Sequence, residues 1–474
     1  MKKLNNLLGE MVYELRRTRN APFMFMPKKI SWSDWSILVY HEFSDTKKGD
    51  MYLVSLFMQE LIARGLLSKT PVTYYSYELD SLTFHDVYLT TSDNETFCRG
   101  TSTDKSEAYA KAFGELFERT ALRYNTSQNT SQNTSQSFVC ASELEMRKDN
   151  MQHIPLDAFP KPTELQKKTF PKSNIRDDDI FSWVTVTNAK DGKEYYIPAQ
   201  TVFFNNYVTF TDEKNIIESS THGAGAGYSK LDALTSGVGE ILNRHYFLES
   251  WYQNESPEKI DVESLPHIGN AYRIIKDLEK RGFIVNVLNY SRKALIPSVI
   301  AIIVRDGGWS CGGASGITME MVIERAVSEA FSSYLWYENI VIQGGCKFTA
   351  QDIEAVKSGF VDTLYGDSFS RVMLYNHAYF LENRPHLTKF LEGESLPFTK
   401  KHDKFDDFDV LAHACHLFGD VLYMYPEKEY LQDYTYYSAK VIIPATFFFS
   451  LSEVYSRPVL KGTYPQNSEI NPFP

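Results

Sequence analysis

Short apolar runs and amphipathic stretches alternate along this chain in small groups, without a regular strand–helix–strand repeat. Residues 86–91 and 95–98 read as a β-hairpin turning at Ser92, Asp93 and Asn94. Residues 181–186 and 194–198 read as a second strand pair, joined by a turn at Asp191 and Gly192. Residues 285–288 and 299–304 are further strands, with a tight turn at Asp306, Gly307 and Gly308. A last strand falls near 439–449. Helical spacing governs the runs at 10–17 and 51–67, the second carrying Leu53, Leu56, Phe57, Leu61 and Leu66. It also marks 271–281, where Gly282 is placed to cap the helix, and roughly 405–420. The expected fold class is therefore α+β, with mainly antiparallel sheets flanked by helices.

One arrangement occurs three times. A glycine-bearing segment, expected as a turn, leads into a helical run with charged residues at helical spacing. Cys98, Arg99 and Gly100 lead to Glu115, Glu118 and Arg119. Residues 223–227, Gly-Ala-Gly-Ala-Gly, lead to Glu240, Asn243 and Arg244. Residues 312–316, Gly-Gly-Ala-Ser-Gly, lead to Arg325 and Glu329. A turn feeding a helix start offers free N–H groups to phosphate. Carboxylates deeper in the helix suit Mg²⁺, a hard cation that favours oxygen ligands. Three such units, far apart in sequence, point to one site for a polyanion and its metals, assembled by folding. Neither the spacing of a P-loop nor that of a dinucleotide-binding fingerprint is present.

Residues 1–85 read as a separate N-terminal module of no legible function, and 86–474 as the main domain. Residues 125–136 repeat Asn-Thr-Ser-Gln three times, a polar tract expected as a loop because it has no apolar surface to bury.

Composition adds exclusions. The 474 residues are 43% hydrophobic, enough for a large core. A net charge of −11 argues against general nucleic-acid binding and suits a protein that holds cations. No run is long enough to span a membrane, and no signal peptide is expected at the start. The five cysteines are scattered and never form a CxxC pair, which fits a reducing cytoplasm. Cys98 and Cys311 are expected to pack rather than react, and His413, Cys415 and His416 match no familiar zinc spacing.

The three units resemble the ordered signatures of the YcaO-domain family, and the likeness runs over about 86–474. Gly100, Thr101 and Ser102, with Glu115-Leu116-Phe117-Glu118-Arg119, resemble the first signature. His222 through Gly227, with Glu240-Ile241-Leu242-Asn243-Arg244, resemble the second, and Gly313 to Ser315 with Arg325 to Glu329 the third. Asn243 stands where the family carries a second glutamate, Ser332 where a glutamine is frequent, Lys111 where a small residue is usual, and His222 where asparagine is usual.

The resemblance implies ATP and Mg²⁺ as cofactors. It implies Glu115, Glu118, Glu240, Asn243 and Glu329 as the metal set. It implies Ser102, Ser106, Lys111, Arg119, Ser236, Arg244 and Arg325 as ATP-binding residues. Glu115 and Glu240 would be catalytic, together with Pro474, since the Pro-Phe-Pro ending is similar to the proline-rich tail of azoline-forming members.

The activity so implied is a cyclodehydratase that phosphorylates backbone amide oxygens of a ribosomally made precursor peptide and closes azolines on Cys, Ser or Thr. The alternatives are thioamide formation and a catalytically silent scaffold. Implied partners are the precursor peptide, a ThiF-like leader-binding protein and an FMN-dependent azoline dehydrogenase; a homodimer is a further arrangement the resemblance allows. No nucleic acid and no membrane enter this reading.

Overall fold

The computed structural model describes residues 28–30, 67–91, 97–122, 138–159, 174–203, 220–267, 269–342, 385–398, 407–426 and 436–447, with a few isolated positions between them. The expected runs at 10–17 and 51–67 (all but Ala63 and Leu67), the hairpin loop 92–94, the repeat tract 125–136 and Pro474 lie outside them.

Strands β1 (Lys28–Ile30), β2 (Leu67–Glu78), β3 (Thr83–Thr91) and β4 (Phe97–Ser102) form an antiparallel sheet in that order. Residue 85 lies inside β3, so one sheet carries strands from both sides of the module boundary expected there. Helix α1 (Lys105–Leu122) follows β4 directly. Strands β5 (Val139–Ser142), β6 (Ile180–Asn188), β7 (Glu194–Pro198) and β8 (Ala224–Gly227) come next, then helix α2 (Lys230–Gln253). The third sheet is built from β9 (Lys259–Asp261), β10 (Ile284–Asn289), β11 (Ser298–Arg305) and β12 (Gly308–Ser315). Helix α3 (Asn270–Lys280) precedes β10, and helix α4 (Met319–Ile342) follows β12. Further along the chain lie β13 (Ser395–Pro397), helix α5 (Asp407–Phe418), β14 (Leu422–Met424) and β15 (Tyr437–Ile442).

The sheet orders are β12-β11-β10-β9-β13 and β5-β6-β14-β15-β8, with β7 on β6. Pairing is antiparallel throughout, except β13 on β9. The fold is α+β, as the pattern of elements predicts.

β11 shows why its sequence reads as an unbroken apolar run. Ile300 and Ile302 face a core built on α2 and α5, while Val299, Ala301 and Ile303 face one built on α3 and α4. A strand covered by helices on both faces has no polar side to show. The turn between β11 and β12 uses Asp306 and Gly307, both at positive φ (50° and 82°), the backbone that a two-residue hairpin requires.

One expectation is corrected. The three glycine-bearing segments are strands or strand ends rather than turns: Gly100 lies in β4, Gly225 in β8 and Gly312 in β12. Their glycines answer a packing demand. A Cβ on Gly100 would lie 1.9 Å from the Ala108 carbonyl oxygen. One on Gly225 would meet Ala233 O at 2.2 Å, and one on Gly312 would meet Ala330 N at 2.2 Å. In each unit the helix lies directly against its own strand, and only glycine leaves room for that approach.

Candidate functional site

Close strand–helix packing fixes where the helix glutamates point. In each unit a glutamate three to four turns into the helix turns back and accepts a hydrogen bond from a backbone N–H of its strand or strand entry. Arg99 N–H donates to Glu115. Gly223 N–H donates to Glu240 at 3.0 Å, and Gly313 N–H to Glu329 at 2.8 Å. The first two glutamates also pair with an arginine one turn on: Glu115 with Arg119, and Glu240 with Arg244 at 2.8 Å. In the third unit the order is reversed, Arg325 preceding Glu329.

These units converge. α1 touches β8 and β15 of the second unit's sheet, and α4 touches β4 of the first. Burial and then the charges of Glu240 and Glu115 push the Glu118 carboxyl up to about 8. Crowding by protein pushes Glu329 up to about 7, with Glu240 and Glu115 adding to the rise against Arg244 and the Gly313 N–H. Glutamates from three helices therefore share one electrostatic neighbourhood, while Glu329 stays open to solvent on one side.

Sequence reading missed Lys440. It lies on β15, is 4% exposed, and its ammonium is close enough to feel Glu240 and Glu118. Its place in an apolar strand gave no signal. Arg99 was missed too. Its guanidinium is held by the fully buried Asp86 (Nε–Oδ1 2.8 Å, Nη2–Oδ2 2.6 Å) and donates to the Ser332 carbonyl at 2.7 Å. The residue whose N–H orients Glu115 is thereby tied to α4.

Other expected site residues take different places. The Asn243 amide nitrogen donates to Ser298 Oγ (2.9 Å), Val299 O (3.0 Å) and Ala314 O (3.1 Å). Expected in the metal set, it ties α2 to β11 and β12 through that nitrogen. Ser102 Oγ donates to Glu107 (2.7 Å) and accepts from the Asp104 N–H (3.1 Å), which makes it part of the α1 start. Lys111 pairs with Glu107 at 2.9 Å and donates to Thr101 O at 3.1 Å. Arg325 is exposed, close enough for its charge to act on Glu107 and Lys111, so a mixed-charge patch joins the first and third units beside the carboxylates. Ser106 is half-buried in the first turn of α1, and Ser236 is exposed on α2.

Cys98 and Cys311 are buried, and burial pushes both thiols up, so neither is a ready nucleophile.

The donor set fits Mg²⁺. It offers hard carboxylate oxygens, with arginines beside them. Among the described residues, no three His, Cys, Asp or Glu side chains close on a point that could hold an ion alone. Mg²⁺ is characteristically held by one or two carboxylates together with substrate phosphates and water, so a shared cleft suits it better than a closed cage.

The raised carboxyls carry a pH prediction. An unfolded glutamate titrates near ~4.3, whereas Glu329 and Glu118 in the fold titrate at about 7 and about 8. Between these limits the folded state holds more protons than the unfolded one, so stability falls as pH rises. Lys440, lowered by burial to about 8, works in the opposite direction only above that pH. Burial lowers the His222 and His245 imidazoles, which act the other way below about pH 6.5, so the melting temperature of the metal-free protein is expected to decline from about pH 6.5 to pH 8, and Glu118→Gln to flatten that slope. A slope equally steep in the variant contradicts the assignment.

Comparison with known proteins gives three results. The family described as YcaO cyclodehydratase, ATP- and Mg²⁺-binding, matches residues 99–445. No curated protein matches the chain. Among solved structures, a heterocyclase in complex with substrate and cofactor is similar at 15% identity and TM-score 0.58, over 85% of this chain and 54% of its own. The chain thus spans about half the length of that heterocyclase. YcaO from Methanopyrus kandleri, bound with AMPPCP and Mg²⁺, is similar at 13% identity and TM-score 0.54, over 89% of this chain and 95% of that one. A chain of the E. coli microcin synthetase McbBCD complex with pro-MccB17 bound is similar at 15% identity and TM-score 0.59, over 86% and 98%. At these identities the likeness speaks for a shared fold.

Proposed function

The chain belongs to the YcaO family, and we propose that it is an ATP- and Mg²⁺-dependent cyclodehydratase acting on the backbone of a ribosomally made peptide. The observation that carries this reading is the meeting of Glu115, Glu118, Glu240 and Glu329, from three helices, with Arg119 and Arg244 beside them.

The chemistry needs no enzyme nucleophile, in keeping with the inert thiols. A Cys thiol or Ser/Thr hydroxyl of the peptide adds to the preceding carbonyl. The oxygen of that carbonyl takes the γ-phosphoryl group of ATP, which turns a poor leaving group into a good one. Phosphate then departs with the former amide oxygen, the azoline C=N forms as the nitrogen loses its proton, and the peptide is lighter by one water.

Mg²⁺, when bound, neutralises phosphate charge. Glu115 and Glu240, each fixed by a strand N–H and an arginine, would offer it oxygens from two different helices. Arg119 and Arg244 orient those carboxylates, and Arg325 and Lys111 offer positive charge at the first–third unit junction. This is catalysis by positioning and charge.

The precursor peptide, a ThiF-like leader-binding partner and an FMN-dependent dehydrogenase that oxidises azolines complete the proposed system, and a homodimer is the proposed self-association. The McbBCD complex, a multi-subunit synthetase with pro-MccB17 bound, supports looking for such partners.

Incubating the chain with ATP, Mg²⁺, the partner and a Cys/Ser/Thr-bearing precursor is expected to consume ATP and remove one water per ring by mass spectrometry. ATP turnover with no mass loss, or a mass change that requires sulfide, overturns the azoline assignment.

A further inference from the structure

The second unit differs from the first in how its glutamate is held. Arg99, the N–H donor to Glu115, is locked by Asp86. Gly223, the donor to Glu240, has no side chain to lock. It has φ +77°, lies at the end of the 220–223 segment, and its own carbonyl accepts from Val441 N–H at 2.7 Å. What fixes this segment is Lys440. Its buried Nζ donates to the His222 carbonyl at 2.6 Å and to the Ser220 carbonyl at 2.9 Å. Within β15, Lys440 is registered opposite Ala224, the residue after Gly223. One strand thus grips the segment twice, through Lys440 Nζ and Val441 N–H.

We propose that Lys440 is a positioning residue for the metal–nucleotide site: it anchors the 220–223 segment, so that the Gly223 N–H holds the Glu240 carboxylate in place, and it adds positive charge near Glu240 and Glu118. The charge has a function of its own. Three helices bring together carboxylates that repel one another before any cation arrives. An internal ammonium beside Glu240 and Glu118 offsets that repulsion, while the two carbonyls it binds keep it from swinging into the cleft as a competitor for Mg²⁺. Arg244, the other cation near Lys440, is engaged by Glu240 itself.

This inference rests on the reading of the cleft as a Mg²⁺–nucleotide site, and the test separates the two. Binding of a non-hydrolysable ATP analogue in MgCl₂ is measured by calorimetry for the full chain, for Lys440→Met, Lys440→Gln and Glu240→Gln, and for the double variant Lys440→Met/Glu240→Gln. Partners that orient a ligand typically cost 10–100-fold when removed, so Lys440→Met is expected to weaken Mg²⁺-dependent binding by about tenfold or more. Lys440→Gln keeps N–H donors for the two carbonyls and loses only the charge, so it is expected to fall between the two, and it carries the test if Lys440→Met does not fold. In the Glu240→Gln background the Lys440 substitution is expected to cost less than about twofold, because both changes act on one carboxylate. No binding by the unaltered chain overturns the site reading. Binding by the unaltered chain with equal affinity in both Lys440 variants overturns this inference, as does a full, additive loss in the double variant.

Discussion

Glu115→Gln is expected to leave the protein folded and to cut ATP hydrolysis by on the order of 100-fold or more, the scale seen when one preorganised electrostatic group is removed from a reaction site. Glutamine still presents an oxygen to the Arg99 N–H, so the link between helix and strand survives. It lacks the negative charge that Mg²⁺ and Arg119 require. The side chain is partly exposed, 28%, so the fold does not depend on its charge. Far-ultraviolet circular dichroism and the melting temperature check the fold, and phosphate release checks turnover. Unchanged turnover in a well-folded variant removes Glu115 from the site.

Gly100→Ala is expected to damage the fold itself. The added methyl would lie 1.9 Å from the Ala108 carbonyl oxygen and 2.4 Å from the Ala112 nitrogen, both backbone atoms of α1. No rotamer change relieves a clash with helix backbone, so β4 and α1 must part. That loosens the core around Ala108 and Ala112, both fully buried. A cost of about 4 kcal/mol, at the upper end for a single substitution, is expected. Soluble yield should fall, or the melting temperature of this 474-residue chain should drop by about 4 °C. Gly192→Ala is the control. Nothing lies within 4 Å of its Cβ position, so only the strain of its φ of +69° remains, about 1–2 kcal/mol. Equal melting temperatures for Gly100→Ala and the unaltered chain would show that the strand and helix are not in close contact there.

The three helices were legible because a glutamate and an arginine four residues apart, repeated behind glycines, form a pattern that survives without any alignment. The sheets were legible where strands alternate or run apolar, as in β10 and β11. The glycine segments were misread as turns for a definable reason. Gly-Ala-Gly-Ala-Gly carries the same local signal whether the backbone turns or lies flat beneath a helix. Only the helix packed on Gly225 distinguishes the two, and that contact is tertiary. Lys440 and the Arg99–Asp86 pair were illegible for a related reason. The partners of a lysine in an apolar strand stay unknown until the strand is placed beside β8. Asn243 shows a further limit: its position in the motif pointed to a metal, and nothing in the sequence showed that its amide nitrogen joins α2 to β11 and β12.

If carboxylates from three separate helices make one site for Mg²⁺ and ATP, removing any one of them weakens binding of the same ligand. Calorimetric titration of the full chain with a non-hydrolysable ATP analogue, with Mg²⁺ present or replaced by a chelator, tests it most directly when repeated with Glu115→Gln, Glu240→Gln and Glu329→Gln. The expected result is binding that needs Mg²⁺ and is weakened at least about tenfold by each of the three substitutions, although they lie on three different helices. Binding that persists in the chelator, or that only one of the three weakens, would contradict it.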